Sequence, residues 1–146
     1  MEGREFRSEN SKPDDSTKTI WGADQIEWLK SSLSSSDAAF KIIFTSSPIV
    51  GPDRDKGKND NYANRAFETE GNKIRKFLSQ YKNLIVINGD RHWQYVSVDD
   101  ETGLMEFSHG PASNSHAQGW AQSDLRPEHK FLRVKGGFLS GKIENK

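Results

Sequence analysis

The sequence predicts an α/β fold, and three observations carry that expectation. Residues 21–92 read helix, strand, helix, strand, the order of a parallel α/β layer. An apolar run, Leu84–Ile87, stops abruptly at Asn88-Gly89, as a short buried strand bounded by a turn does. After His92 the pattern changes to alternating residues around turn signals, which reads as antiparallel hairpins.

Each element has its own signal. Residues 1–20 are charged and polar, with Pro13-Asp14-Asp15 as a turn, and read as a loop or polar connection. From Asp24 to Leu33, Ile26, Leu29 and Leu33 recur at helical spacing, joined by Trp28. The serine-rich stretch after Lys30 is expected to end that helix, because hydroxyls compete for backbone hydrogen bonds. Residues 40–46, FKIIFTS, read as a strand ending at Ser46-Ser47-Pro48. Residues 49–64 are rich in Gly, Pro, Asp and Asn and read as a long surface loop, a polar lid. Phe67, Ile74, Phe77, Leu78 and Tyr81 mark a second helix, with Gly71 costing it about 1 kcal/mol against alanine. The strand 84–88 follows. Two hairpins are expected beyond it, one turning at Asp100–Gly103 and one near Gly136-Gly137. The organisation is therefore a polar connection (1–20), an α/β part (21–92) and an antiparallel β part (93–146).

Bulk composition narrows the function. Of 146 residues only 32% are hydrophobic, against a usual share near one half, so the core is thin. Lys plus Arg equals Asp plus Glu at 21 each. A neutral chain gains little from a polyanion or an anionic leaflet, so neither a nucleic-acid partner nor a membrane surface is expected. Cysteine is absent, which excludes disulfides and thiolate metal sites. No apolar run is long enough for a membrane span, and no signal peptide stands at the start. The compartment stays unassigned.

The chemistry-bearing residues cluster where the apolar strand ends. Sites in open α/β sheets gather outside the carboxyl ends of parallel strands. Asp90 and His92 are two apart there, and in extended chain such residues point the same way. A carboxylate and an imidazole together suit a zinc, iron or manganese type of metal. The plainer reading makes Asp90 a turn cap and His92 a partly buried ring. Arg91 suits a phosphate or an ion pair with Asp53 or Asp60. His109 and His116 flank a Gly- and Ser-rich loop and are candidates to approach a phosphate, although loop histidines are more often simply solvated. Ser46 and Ser47 lack a His-Asp partner and read as turn residues. His129 reads as a surface residue, and Trp93 and Tyr95 as core. Asp53, Asp55, Asn59, Asp60 and Asn61 fail the spacing of an EF-hand loop.

Taken in order, these motifs resemble the C-terminal half of PhoD-like alkaline phosphatases, within the calcineurin-like metallophosphoesterases. The matching residues are Gln25, Trp28 and Leu29 on the first helix, then Lys41-Ile42-Ile43, Ser47-Pro48, and Gly89-Asp90-Arg91-His92. Arg7-Ser8, Asp14 and Thr19-Ile20 match the approach to that helix. The resemblance implies part of a four-layered α/β/β/α sandwich with a two-metal site at the strand ends. It implies that Asp90 and His92 are catalytic metal ligands, for divalent or trivalent ions whose identity among Fe, Ca, Mn and Zn stays open. Two such ions activate a bridging water and clamp the phosphoryl oxygens.

The family's remaining ligands lie on strands absent from this sequence. The expectation is thus the C-terminal part of a phosphoester hydrolase, incomplete alone, whose partners are a phosphoester substrate and the missing N-terminal half. Family members are commonly exported, and an exporting segment would lie in the missing part. The rival readings are a non-catalytic remnant and a β-rich interaction module.

Overall fold

The computed structural model describes residues 1–54 and 59–144. Helix α1 spans Ala23–Ser35 and strand β1 Lys41–Thr45. A short 3-10 turn at Arg65–Phe67 leads into helix α2, Glu68–Leu78. Strands β2 (Leu84–Asn88), β3 (Gln94–Val98), β4 (Met105–His109) and β5 (His129–Arg133) follow. They form one five-stranded sheet ordered β1-β2-β4-β3-β5. β1, β2 and β4 run parallel, while β3 is antiparallel to both its neighbours, β4 and β5. The α/β class read from the sequence is the class found, with a mixed rather than segregated sheet.

The register sorts the side chains by face. Ile42 and Phe44 pair with Ile85 and Ile87, which pair with Met105 and Phe107. Val96 and Val98 sit opposite Phe107 and Met105, and Phe131 lies beyond Val96. Because strand side chains alternate, this whole row shares one face, and it is apolar from edge to edge. It is also open: Phe44 is 63% and Phe131 47% exposed. The opposite face packs. Leu29 and Leu33 of α1 and Ile74 and Leu78 of α2 join Ile43, Leu84 and Val86 in one buried cluster, with Ile20, Trp21, Ile49 and Tyr62. Across β3 and β5 a smaller cluster holds Trp93, Tyr95 and Leu132, with Trp120 stacked on Trp93 at 5.2 Å.

Several expectations are corrected. α1 runs through the serines to Ser35. Their hydroxyls donate back to carbonyls one turn earlier, Ser31 to Trp28 at 3.0 Å and Ser34 to Lys30 at 2.7 Å, and so are satisfied inside the helix. Trp28 faces outward, 61% exposed. Residues 1–20 hold no helix or strand, yet their end is built into the core: Ile20 is buried, and Glu70 of α2 accepts from its N–H at 2.7 Å. Among the described residues no second hairpin forms, and β5 pairs with β3 alone. Gly136 and Gly137 serve close approach instead, since a Cβ on either would stand 2.5 Å from Ser113 or Gln94.

Gly71 has a similar role inside α2. A Cβ there would meet the Tyr62 carbonyl at 2.8 Å, so the helix accepts a poor former in exchange for contact with the segment before it. Residues 49–51 and 61–62, expected as exposed loop, are buried. Arg75 of α2 holds them, donating to the Ile49 carbonyl at 2.7 Å and the Tyr62 carbonyl at 3.0 Å. Asp55, part of the calcium-loop alternative, lies outside the described residues.

Candidate metal and phosphoester site

The carboxyl ends of β1 and β2 are tied together, with the Gly89 N–H donating to the Thr45 carbonyl at 3.1 Å. Beyond that tie the chain does not stay extended. Asp90 has φ +66°, a left-handed conformation that costs a non-glycine residue of order 1 kcal/mol and collects at functional sites. The geometric route expected to align Asp90 with His92, simple strand alternation, is therefore not the one used. A turn brings both to the wall of one cleft of about 320 Å³, with Asp53, Asp60, Arg91 and Gln118. Both side chains are exposed, whereas Arg91 between them is 6% exposed.

Arg91 organises this cleft. Its guanidinium donates to Asp90 at 2.7 Å and to Asp53 at 3.0 Å, and lies 5.8 Å from the Trp93 ring centroid. Of the two sequence alternatives for Arg91, the ion pair with Asp53 is the arrangement found. Asp60 pairs instead with Arg7, at 3.9 Å. A guanidinium already shared by two carboxylates has limited charge left for a phosphate.

Asp53 reaches Arg91 because a buried carboxylate fixes the segment ahead of it. Glu106 on β4 is fully buried. It accepts from three successive backbone N–H groups, Ile49 at 2.6 Å, Val50 at 3.1 Å and Gly51 at 2.8 Å, and from the Tyr95 hydroxyl at 2.8 Å. Asn88, the last residue of β2, donates to the same hydroxyl. Burial pushes the Glu106 carboxyl above its usual range, opposed by its three backbone donors and Tyr95. Burial next to Glu106 also holds the Tyr95 phenol well above its ordinary value. The sequence alone does not single out Glu106. Its signal was faint: a charge in the alternation Met105-Glu106-Phe107-Ser108, with no indication of which face turns inward.

The histidine candidates separate. His109 ends β4, exposed, with Nδ1 2.5 Å from the Gly110 carbonyl. His116 lies exposed in a second 3-10 turn at Asn114–His116. Neither lines the Asp90–His92 cleft; from their loop it is Gln118 and Gly119 that do, the Gln118 N–H donating to the His92 carbonyl at 3.2 Å. His129, expected at the surface, is buried against Tyr95 and Trp120, and burial lowers its pKa.

The fit to a metal is partial. A carboxylate and an imidazole are suitable donors, but protein sites usually provide three or four. No group of three or more His, Cys, Asp or Glu side chains placed to hold an ion occurs among the described residues. Asp90 and Asp53 are also engaged by Arg91. These residues do not make a complete centre, and no catalytic step is derived through one.

Comparison with known proteins decides the family. A profile described as PhoD-like phosphatase matches residues 1–134. The chain belongs to the PhoD-like phosphatase family. A solved structure described as "Structure of PhoD" superposes with a TM-score of 0.67 at 16% sequence identity. The alignment covers 93% of this chain and 32% of that one, so the chain spans about a third of that protein. At such identity the likeness speaks to fold. None of the curated proteins matches. No helix among the described residues is long and apolar enough to cross a membrane.

Proposed function

We propose that the chain is the C-terminal part of a metal-dependent phosphoester hydrolase, contributing Asp90 and His92 to a centre completed by residues outside this sequence. The observation that carries this reading is the placement of Asp90 and His92 on one cleft at the carboxyl ends of parallel strands. Two further features support it. The donor set is short by the same residues that the family resemblance assigns to earlier strands. The apolar outer face of the sheet offers a surface for a second sheet, as packed sheets stack face to face about 10 Å apart.

In this reading Arg91 keeps the Asp90 carboxylate oriented, and Asp53 keeps Arg91 in place. The metal, when bound, supplies an activated water and charge for the phosphoryl oxygens. Complementation tests the reading. The chain is co-expressed with a polypeptide supplying the other two thirds of a PhoD-like domain, then assayed with Mn, Fe, Zn and Ca against a chromogenic monoester and diester. Turnover that appears on complementation and disappears in Asp90→Ala and His92→Ala supports it. Turnover indifferent to both substitutions overturns it.

A further inference from the structure

A second cavity, about 800 Å³, adjoins the Asp90–His92 cleft and shares Asp53 and Arg54 with it. Four separate segments bring cations to its wall: Lys12 and Lys18 before α1, Arg54 after β1, Arg65 ahead of α2, and Arg126 before β5. The carboxylates in the same wall are Asp14, Asp53 and Glu128. Two of these are already engaged. Asp14 accepts from the Thr69 N–H and hydroxyl at 2.9 Å each, and Asp53 is held by Arg91. Arg126 is itself paired with Asp124 at 2.6 Å, and with that pair set aside the balance among the described residues of the wall is still positive, although the chain as a whole is neutral.

Lys18 is the unusual member. It is only 2% exposed, and buried ammonium groups normally require a carboxylate partner. Its Nζ instead donates to two backbone carbonyls, Asn10 at 2.9 Å and Lys12 at 2.5 Å, and stands 4.4 Å from the centroid of Phe67. A fixed positive charge is therefore built into the cavity floor without an ion-pair partner among the described residues. Arg54 and Arg65, both exposed, likewise have no carboxylate within ion-pair distance among those residues. Lys18 supplies charge from beneath rather than a contact, because its Nζ is committed to two carbonyls and the Phe67 ring; the exposed guanidinium forks of Arg54 and Arg65 are the groups that recognise phosphate oxygens.

The geometry points to this cavity as a second anion subsite, formed by Lys12, Arg54 and Arg65 over the buried charge of Lys18, which takes a phosphate group other than the one at Asp90 and His92. The implied ligand class is a phosphoester that carries a second phosphate. The inference rests on the functional reading only for the word ester, and its test needs neither metal nor turnover. Inorganic phosphate is titrated into the isotopically labelled 146-residue chain at low ionic strength, and amide and arginine side-chain resonances are followed. Saturable shifts at residues 12, 54 and 65 are expected, weakening with added salt.

The Arg54→Gln, Arg65→Gln double variant should lose affinity by about tenfold, equivalent to roughly 1.4 kcal/mol. Both residues are exposed, so the amide spectrum should otherwise keep its folded dispersion. A Lys135→Gln, Lys142→Gln double variant removes the same charge from exposed positions elsewhere and should bind phosphate as the parent does. Equal loss in the two double variants would overturn the subsite by showing a general charge effect. Shifts that are absent, or not confined to the cavity, would overturn it too. Phosphate ignoring this cavity while the complemented protein still turns over would leave the hydrolase reading standing and remove only the subsite.

Discussion

On its inner face the sheet carries Thr45, Asn88, Tyr95, Ser97, Glu106 and Ser108, all buried beneath helices and loops. On its outer face it carries Ile42, Phe44, Ile85, Ile87, Met105, Phe107 and Phe131, several of them largely exposed. The inner face mixes these polar groups with the apolar core residues Ile43, Leu84 and Val86, whereas the outer row is apolar throughout. The contrast separates two jobs. Inner polar groups buy position: Glu106 orders residues 49–51, these carry Asp53 to Arg91, and Arg91 holds Asp90. The outer face makes no comparable network and gains only if another apolar surface covers it.

Breaking the inner network should have the largest effect. Glu106→Ala strands three backbone N–H groups and the Tyr95 hydroxyl in a buried space. Unsatisfied buried groups cost about 1–3 kcal/mol each, partly relieved by relaxation. Urea denaturation should show a loss of roughly 3–5 kcal/mol. A loss below about 1 kcal/mol would mean that the carboxylate does not organise the 49–51 segment.

The next test sets one face against the other within the same two strands. Val86→Ala, on the inner face, should cost about 2 kcal/mol through lost contact and a cavity. Phe44→Ser, on the outer face, should change stability by less than about 0.5 kcal/mol, as exposed positions do. Paired with Phe131→Ser it should lower self-association in analytical ultracentrifugation. Similar costs for Val86 and Phe44 would erase the distinction between the faces.

Gly71→Ala gives a smaller expected loss. Alanine gains about 1 kcal/mol of helix propensity, but its Cβ would stand 2.8 Å from the Tyr62 carbonyl, and overpacking costs about 1–3 kcal/mol. A net loss near 1 kcal/mol in the melting analysis is the expected outcome; a net gain would show that the 61–62 segment yields freely.

These positions also show what the sequence made legible. The run Leu84–Ile87 announced β2, and Asn88-Gly89 its end, because length and apolarity mark a buried strand whatever its partners. The phase of β4 was hidden, since period-two alternation names two faces without saying which is covered. Nothing in the alternation therefore marks Glu106, between Met105 and Phe107, as inward-facing. The serines of α1 misled because their hydroxyls are satisfied along the helix itself. Gly136-Gly137 looked like a turn but marks close approach to Ser113 and Gln94, a tertiary demand that local pattern does not carry. Asp90 and His92 were legible as a pair through the resemblance, whereas the left-handed turn that seats them was not.

The mildest prediction concerns pH. Burial lowers the pKa of His129 below its ordinary 6.5, so between those values the unfolded chain binds more protons than the folded one. The His129 contribution is present above about pH 6.5 and is lost as pH falls through the folded value. Compared with His129→Gln, the parent chain should lose stability on going from neutral to mildly acidic buffer. Glu106, whose pKa burial raises, has the opposite pH dependence, which is common to both proteins and cancels in the comparison. A constant gap between the two proteins across that range would contradict the assignment.

The central claim is that this chain holds two donors of a larger centre, and turnover of the chain alone tests it most directly. The purified 146-residue chain and its Asp90→Ala, His92→Ala double variant are assayed side by side with manganese, iron, zinc and calcium against a chromogenic phosphoester. The account predicts indistinguishable, background rates for the two. Robust metal-dependent turnover by the chain, abolished in the double variant, would contradict it by showing a complete centre within these residues.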